Sequence, residues 1–143
     1  MSMHVLYGVI CEGAREQENG RLDLKGVFHQ LLAPGFPASQ EAMTLVINLE
    51  WDQGEFGEVE FEIHLMGPDH QPVFRIQAST DVVRDGGAPP QTRIIIPLED
   101  VFFPLPGVYE FEVSASQTKC RTARLHLIEK TVAQHETGEG SLR

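Results

Sequence analysis

The chain has 143 residues, enough for one domain with its own core and no need of staples. Its 21 acidic residues outnumber 11 basic ones, for a formal charge of -10. The basic residues are scattered, so the surface repels phosphate backbones and anionic headgroups, which argues against nucleic acid and against an electrostatically held membrane.

The first apolar stretch, Val5 to Cys11, has no cationic leader and is too short to cross a bilayer, so the expected location is the cytoplasm. His4 to Glu12 reads as an opening strand. Arg15 to Gly20 is polar and ends in Asn19-Gly20, a pair favoured in tight turns. Arg21 to Ala33 resumes alternation as one strand until Gly26, where a glycine inside a strand marks a bulge and a switch of face. Pro34-Gly35-Phe36-Pro37 forces a loop. Met43 to Trp51 then places Leu45, Ile47, Leu49 and Trp51 on one face and Thr44, Asn48 and Glu50 on the other.

Glutamate alternates with apolar residues from Glu58 to Leu65 and again from Tyr109 to Val113. That period of two belongs to strands with one dry and one wet side. Phe56 to Met66 and Val73 to Val83 flank a run of turn formers, Gly67 to Pro72, and form the clearest hairpin. Asp85 to Pro90 is a loop, and Thr92 to Leu98 contains Pro97, which indicates a strand edge. After the Phe102 to Gly107 loop, Val108 to Ala115 pairs with Lys119 to Glu129. Residues 130–143 read as a flexible polar tail after a domain over 1–129.

About eight strands and no substantial helix specify an all-β fold, an antiparallel two-sheet β-sandwich, immunoglobulin-like or C2-like. The expected core is Tyr7, Leu24, Ile47, Val59, Phe61, Ile63, Phe74, Ile76, Ile94, Ile96, Tyr109, Phe111, Val113, Leu125 and Leu127. Each large apolar side chain buried there contributes roughly 1.5 to 3 kcal/mol before entropy is subtracted.

Taken together, Leu6 to Arg15, Asn19 to Phe28, Phe36-Pro37 and Phe103 to Phe111 resemble a bacterial family of single β-sandwich domains of unknown function. The resemblance covers the chain up to about Ile128 and implies no catalytic residues. It also implies an acidic residue where Gly13 stands, so this chain departs from it at the first turn.

Glu58, Glu60 and Glu62 share one strand face about 7 Å apart, a spacing at which paired carboxylates act on glycosidic bonds. The same alternation recurs at Glu110 and Glu112, which makes a solvated sheet face the better account. Asp52, Asp69, Asp81 and Asp85 are the candidate calcium ligands, but none forms an Asp-x-Asp pair. The histidines, among them His64, His70, His126 and His135, lack zinc-ligand spacing. Cys11 shares a face with Val5, Tyr7 and Val9 and reads as a buried thiol, and Cys120 lies too far along the chain for a C-x-x-C motif. No cofactor is implied.

The remaining constellation is apolar: Phe102, Phe103 and Leu105 in one loop and Phe36 in another, either a plug over the core or a partner-binding patch. An unpaired edge near Pro97 or the first strand offers a second route to association. The expectation is therefore a non-enzymatic module that binds a protein partner or itself. The alternative is a small-molecule, glycan or calcium-binding sandwich, with Trp51 facing solvent; a glycan-active enzyme using the three glutamates comes third.

Overall fold

The computed structural model describes residues 3–52, 56–83 and 87–130. Every regular element among them is a strand: β1 (Met3–Glu16), β2 (Leu22–Phe28), β3 (Gln30–Ala33), β4 (Ala38–Trp51), β5 (Gly57–Met66), β6 (Pro72–Val82), β7 (Gln91–Phe103), β8 (Gly107–Ala115) and β9 (Thr118–Glu129). They form two sheets, a four-stranded one in the order β2-β1-β4-β7 and a five-stranded one in the order β3-β9-β8-β5-β6.

The two glutamate-bearing segments are the central strands β8 and β5 of the larger sheet. Val59, Phe61, Ile63 and Leu65 of β5 are buried, as are Tyr109, Phe111 and Val113 of β8. Across the interlayer space they meet Leu45, Ile47, Leu49 and Trp51 of β4, all fully buried, so period-two alternation on both sheets builds one core. The β5–β6 hairpin closes as expected: Gly67 N–H donates to Gln71 O at 2.8 Å and Asp69 Oδ1 accepts from Gln71 N at 3.2 Å. The β8–β9 hairpin turns on Ser116 and Gln117, both at positive φ, which matches the right-handed twist of the flanking strands.

Nine strands replace the expected eight because the segment from Arg21 to Ala33 is two strands in two sheets. Beyond His29 the chain leaves β1 and runs parallel to β9, with Leu31 opposite Leu127, so the sandwich is not wholly antiparallel. The crossover places Phe28 in the core from one sheet and Leu31 from the other. The change of face therefore falls at His29 and not at Gly26, through which the β1–β2 register continues without a shift.

Two expected core residues lie outside the core. A register shift between Val5 and Tyr7 sends Val5 inward and Tyr7, with Val9 and Cys11, to the outer side of the smaller sheet. Leu24 belongs to the distal half of the β1–β2 hairpin, beyond the layer in which the sheets face each other, and is 37% exposed. Phe74, Ile76 and Ile96 are only half-buried, packed against the core from strands at or near a sheet edge.

That distal hairpin bends back. Arg93 stands in register with Asn48, which stands in register with Tyr7, so a straight β1 would carry Glu16 about 30 Å beyond the Arg93 level at ~3.3 Å per residue. Instead Arg93 Nη1 lies 3.8 Å from Glu16 Oε1. The hairpin therefore arches over the outer side of the smaller sheet. It bends beside Gly26, whose φ is +63° and whose missing Cβ leaves room for the Glu12 side chain. Beneath it Cys11 and Val46 are fully buried although they face away from the core.

Candidate functional site

The strand order leaves β6 at the edge of the larger sheet and β7 at the edge of the smaller one, on the same side of the sandwich. Pro97 lies in β7 and is thus at an edge, as its missing N–H requires. Between the two edges runs a groove of about 330 Å³ lined by Val73, Phe74 and Ile76 of β6 and by Leu98, Val101 and Phe102 of β7, with Glu99 and Asp100 beside them. Phe74 is anchored edge-on against Phe111, ring centroids 6.2 Å apart. Asp100 has a φ of +52°, a conformation that costs a non-glycine residue about 1–2 kcal/mol, and it kinks β7 at the groove.

β7 is protected as an edge by Pro97 and by this kink. β6 has such protection only at its start, where Pro72 and a register shift precede Phe74: from Phe74 to Val82 it carries no proline, glycine or lysine and, among the described residues, pairs only with β5. Long, regular edges are templates for another strand, and proteins ordinarily interrupt them.

The apolar residues singled out by sequence divide, and Phe102 and Phe103 are the last two residues of β7, not part of the expected loop. Phe103 is fully buried and meets the Tyr109 ring edge-on at 4.9 Å, so it is the plug of that end of the core and belongs to no surface. Phe36 is half-buried and packs against the core, preceding a cis bond to Pro37. Phe102 is 52% exposed and Leu105 is exposed too, but only Phe102 joins the groove. Tyr109 carries a device that the sequence reading missed. Its Oη donates to Leu105 O at 2.7 Å and accepts from Leu105 N at 3.0 Å, tying the Leu105-Pro106-Gly107 turn to β8. The available signal was a tyrosine two residues after a Pro-Gly turn. Burial raises its hydroxyl pKa.

Glu60 and Glu62 do line a depression, of about 650 Å³, which opens where β5 and β8 cease to pair. Glu58 lines an adjoining one with Ser116. Glu62 is already engaged: Gln77 Nε2 donates to it at 2.8 Å, His64 Nε2 stands at 3.0 Å and Arg75 at 3.8 Å. The Gln77 amide first, and then His64, hold its carboxyl below the usual range. These partners favour the ionised form of Glu62, the opposite of what the protonated acid of a glycosidic pair requires. Trp51 is fully buried with Nε1 donating to Thr92 Oγ1 at 2.9 Å, so it offers no stacking face to a sugar.

The aspartates do not converge. Asp52 is bonded to His4 at 3.1 Å, Asp69 closes the β5–β6 turn, Asp81 lies at the other end of β6, and Asp85 is outside the described residues. Among the described residues no group of three or more metal-ligating side chains forms. His135 and the expected tail after Lys130 also fall outside them, while Lys130 N–H itself donates to Ala33 O at 2.8 Å. Cys11 and Cys120 are both free, and burial raises the Cys11 thiol pKa. Among the described residues no helix is long and apolar enough to cross a membrane.

A protein-family model matches residues 6–128, from β1 through the penultimate residue of β9. The chain belongs to the family of unknown function DUF6941. The DUF6941 match spans both sheets, the β1–β2 hairpin and the β6–β7 groove, so all of these belong to the family domain. A search of curated proteins found no match.

Proposed function

We propose that this DUF6941 domain is a non-enzymatic protein-interaction module, binding a protein partner or itself. The observation that carries the reading is the β6 edge, regular from Phe74 to Val82, beside an apolar groove that Phe102 leaves partly open. An added strand would satisfy the outward backbone groups of β6 while its side chains cover the groove.

The scaffold is read as immunoglobulin-like. In that reading β4 and β7 take the parts of strands B and E, and β5, β8 and β9 those of C, F and G, with β6 as C′; the strand order supports it. The Tyr109–Leu105 bonds support this, since a tyrosine near the start of strand F bonding back a few residues is a hallmark of such sandwiches. Phe111 occupies the position where antibody domains have the second cysteine of their bridge.

The test is a photo-crosslinking amino acid at Ser79, an exposed position on β6, in living cells. A covalent adduct of raised mass, absent when the same group is placed at Glu18, supports the reading. Failure to form any adduct from β6 positions sinks it.

A further inference from the structure

We infer that the occupant of the β6 edge is the β6 edge of a second copy, antiparallel about a two-fold axis at Ala78. The inference rests on the interaction-module reading and deepens it. In an antiparallel ladder, paired residue numbers have a constant sum, and pairing Ala78 with its own counterpart sets that sum for the whole strand. Arg75 then faces Asp81 of the other copy, and Gln77 faces Ser79. All four are on the outer face, as their β5 partners His64, Glu58, Glu62 and Glu60 show.

The same register pairs the inner side of the strand with itself. Phe74 faces Val82 and Ile76 faces Thr80. One strand supplies both halves of an isologous contact, and each oppositely charged pair and each apolar pair occurs twice. At a net charge of -10 two copies repel at long range, so a stable contact needs local charge complementarity of this kind. The product is a continuous ten-stranded sheet, two copies of the five-stranded one, which removes the unprotected edge.

Sedimentation equilibrium of the purified full chain, with Arg75→Asp, Asp81→Arg and the double exchange, tests this. The expected result is a dimer whose dissociation constant rises by roughly ten-fold in either single variant, which sets like charges opposite one another twice, and returns toward the original in the double exchange. As a second, independent measurement, Ala78→Cys should cross-link to itself under mild oxidation, because opposed residues in an antiparallel pair have Cα atoms about 4.5–5.5 Å apart. A strictly monomeric protein, or a dimer indifferent to the single exchanges and without an Ala78→Cys cross-link, overturns the inference. A monomer that still forms the Ser79 adduct with a different protein overturns the second copy and leaves the interaction reading standing.

Discussion

Glu16 and Arg93 form an ion pair of 3.8 Å, although Arg93 stands level, through Asn48, with Tyr7, nine residues earlier on the strand that carries Glu16. The contact means that the end of the β1–β2 hairpin is folded back over the outer side of the smaller sheet. It accounts for a fully buried Cys11 and Val46 on a face that looks away from the core. The pair is partly exposed and long, so its own contribution to stability is small, about 0–1 kcal/mol. Its consequence is cover for what lies beneath.

Replacing Glu16 and Arg93 together by alanine should leave global stability within about 1 kcal/mol while speeding thiol modification of Cys11. In the unmodified protein Cys120, only half-buried, should react before Cys11, whose burial disfavours the thiolate. Peptide-resolved alkylation rates check both statements, and an unchanged Cys11 rate in the double variant would mean that the hairpin is not its cover.

Two glycines of that hairpin should behave differently. Gly26→Ala forces an alanine into positive φ and sets its Cβ 2.6 Å from the Glu12 side chain, so a loss of about 1–2 kcal/mol is expected. Gly13→Ala meets nothing within 4 Å and has no positive φ, so it should be close to neutral. Urea denaturation of the two variants side by side measures the difference. It also explains how an acidic residue at the Gly13 position is sterically compatible with this fold.

Phe102 and Phe103 are neighbours in sequence with opposite fates. Phe103→Ala empties a fully buried site against Tyr109 and should cost about 3–5 kcal/mol, whereas Phe102→Ala should shift stability by under about 0.5 kcal/mol. If Phe102→Ala proves as damaging as Phe103→Ala, the groove is part of the core and not a surface.

Tyr109→Phe keeps the packing and removes the hydroxyl from two backbone groups of Leu105. A loss of about 1–3 kcal/mol is expected, seen as a lower urea midpoint with an unchanged slope.

Glu62 gives the protein an acid-sensitive element. Its folded-state pKa lies below the ordinary value near 4.5, chiefly through Gln77 and then His64. Between the folded and unfolded values the native state binds fewer protons than the unfolded chain, so stability rises with pH there. The contribution is complete above the unfolded value and is lost as pH falls through the folded one. Glu62→Gln should therefore flatten the stability curve below about pH 4.5, and denaturant midpoints taken across the acid range read this directly.

Local alternation made much of this fold legible. Wherever a strand has one wet side, as in β5 and β8, the period of two names the buried residues from Val59 to Leu65 and from Tyr109 to Val113 without any knowledge of their partners. Turn chemistry did the same for the β5–β6 hairpin, and Pro97 marked an edge because a missing N–H is a property of the residue alone. Membership of the DUF6941 family lies in the same local signals, spread over residues 6–128.

What alternation does not encode is what lies on the far side of a sheet. Tyr7 and Leu24 fit the pattern of core residues, but a one-residue register shift in β1 and the bend at Gly26 moved them out, because phase is lost at a bulge. Whether Phe102 or Phe103 caps the core depends on which faces Tyr109, a contact between strands that no local rule specifies. The site was decided in the same way. β6 is alternating and unremarkable as a sequence, and it became the candidate surface only because the assembly of strands left it at an edge beside β7, with no described strand paired to its outer side.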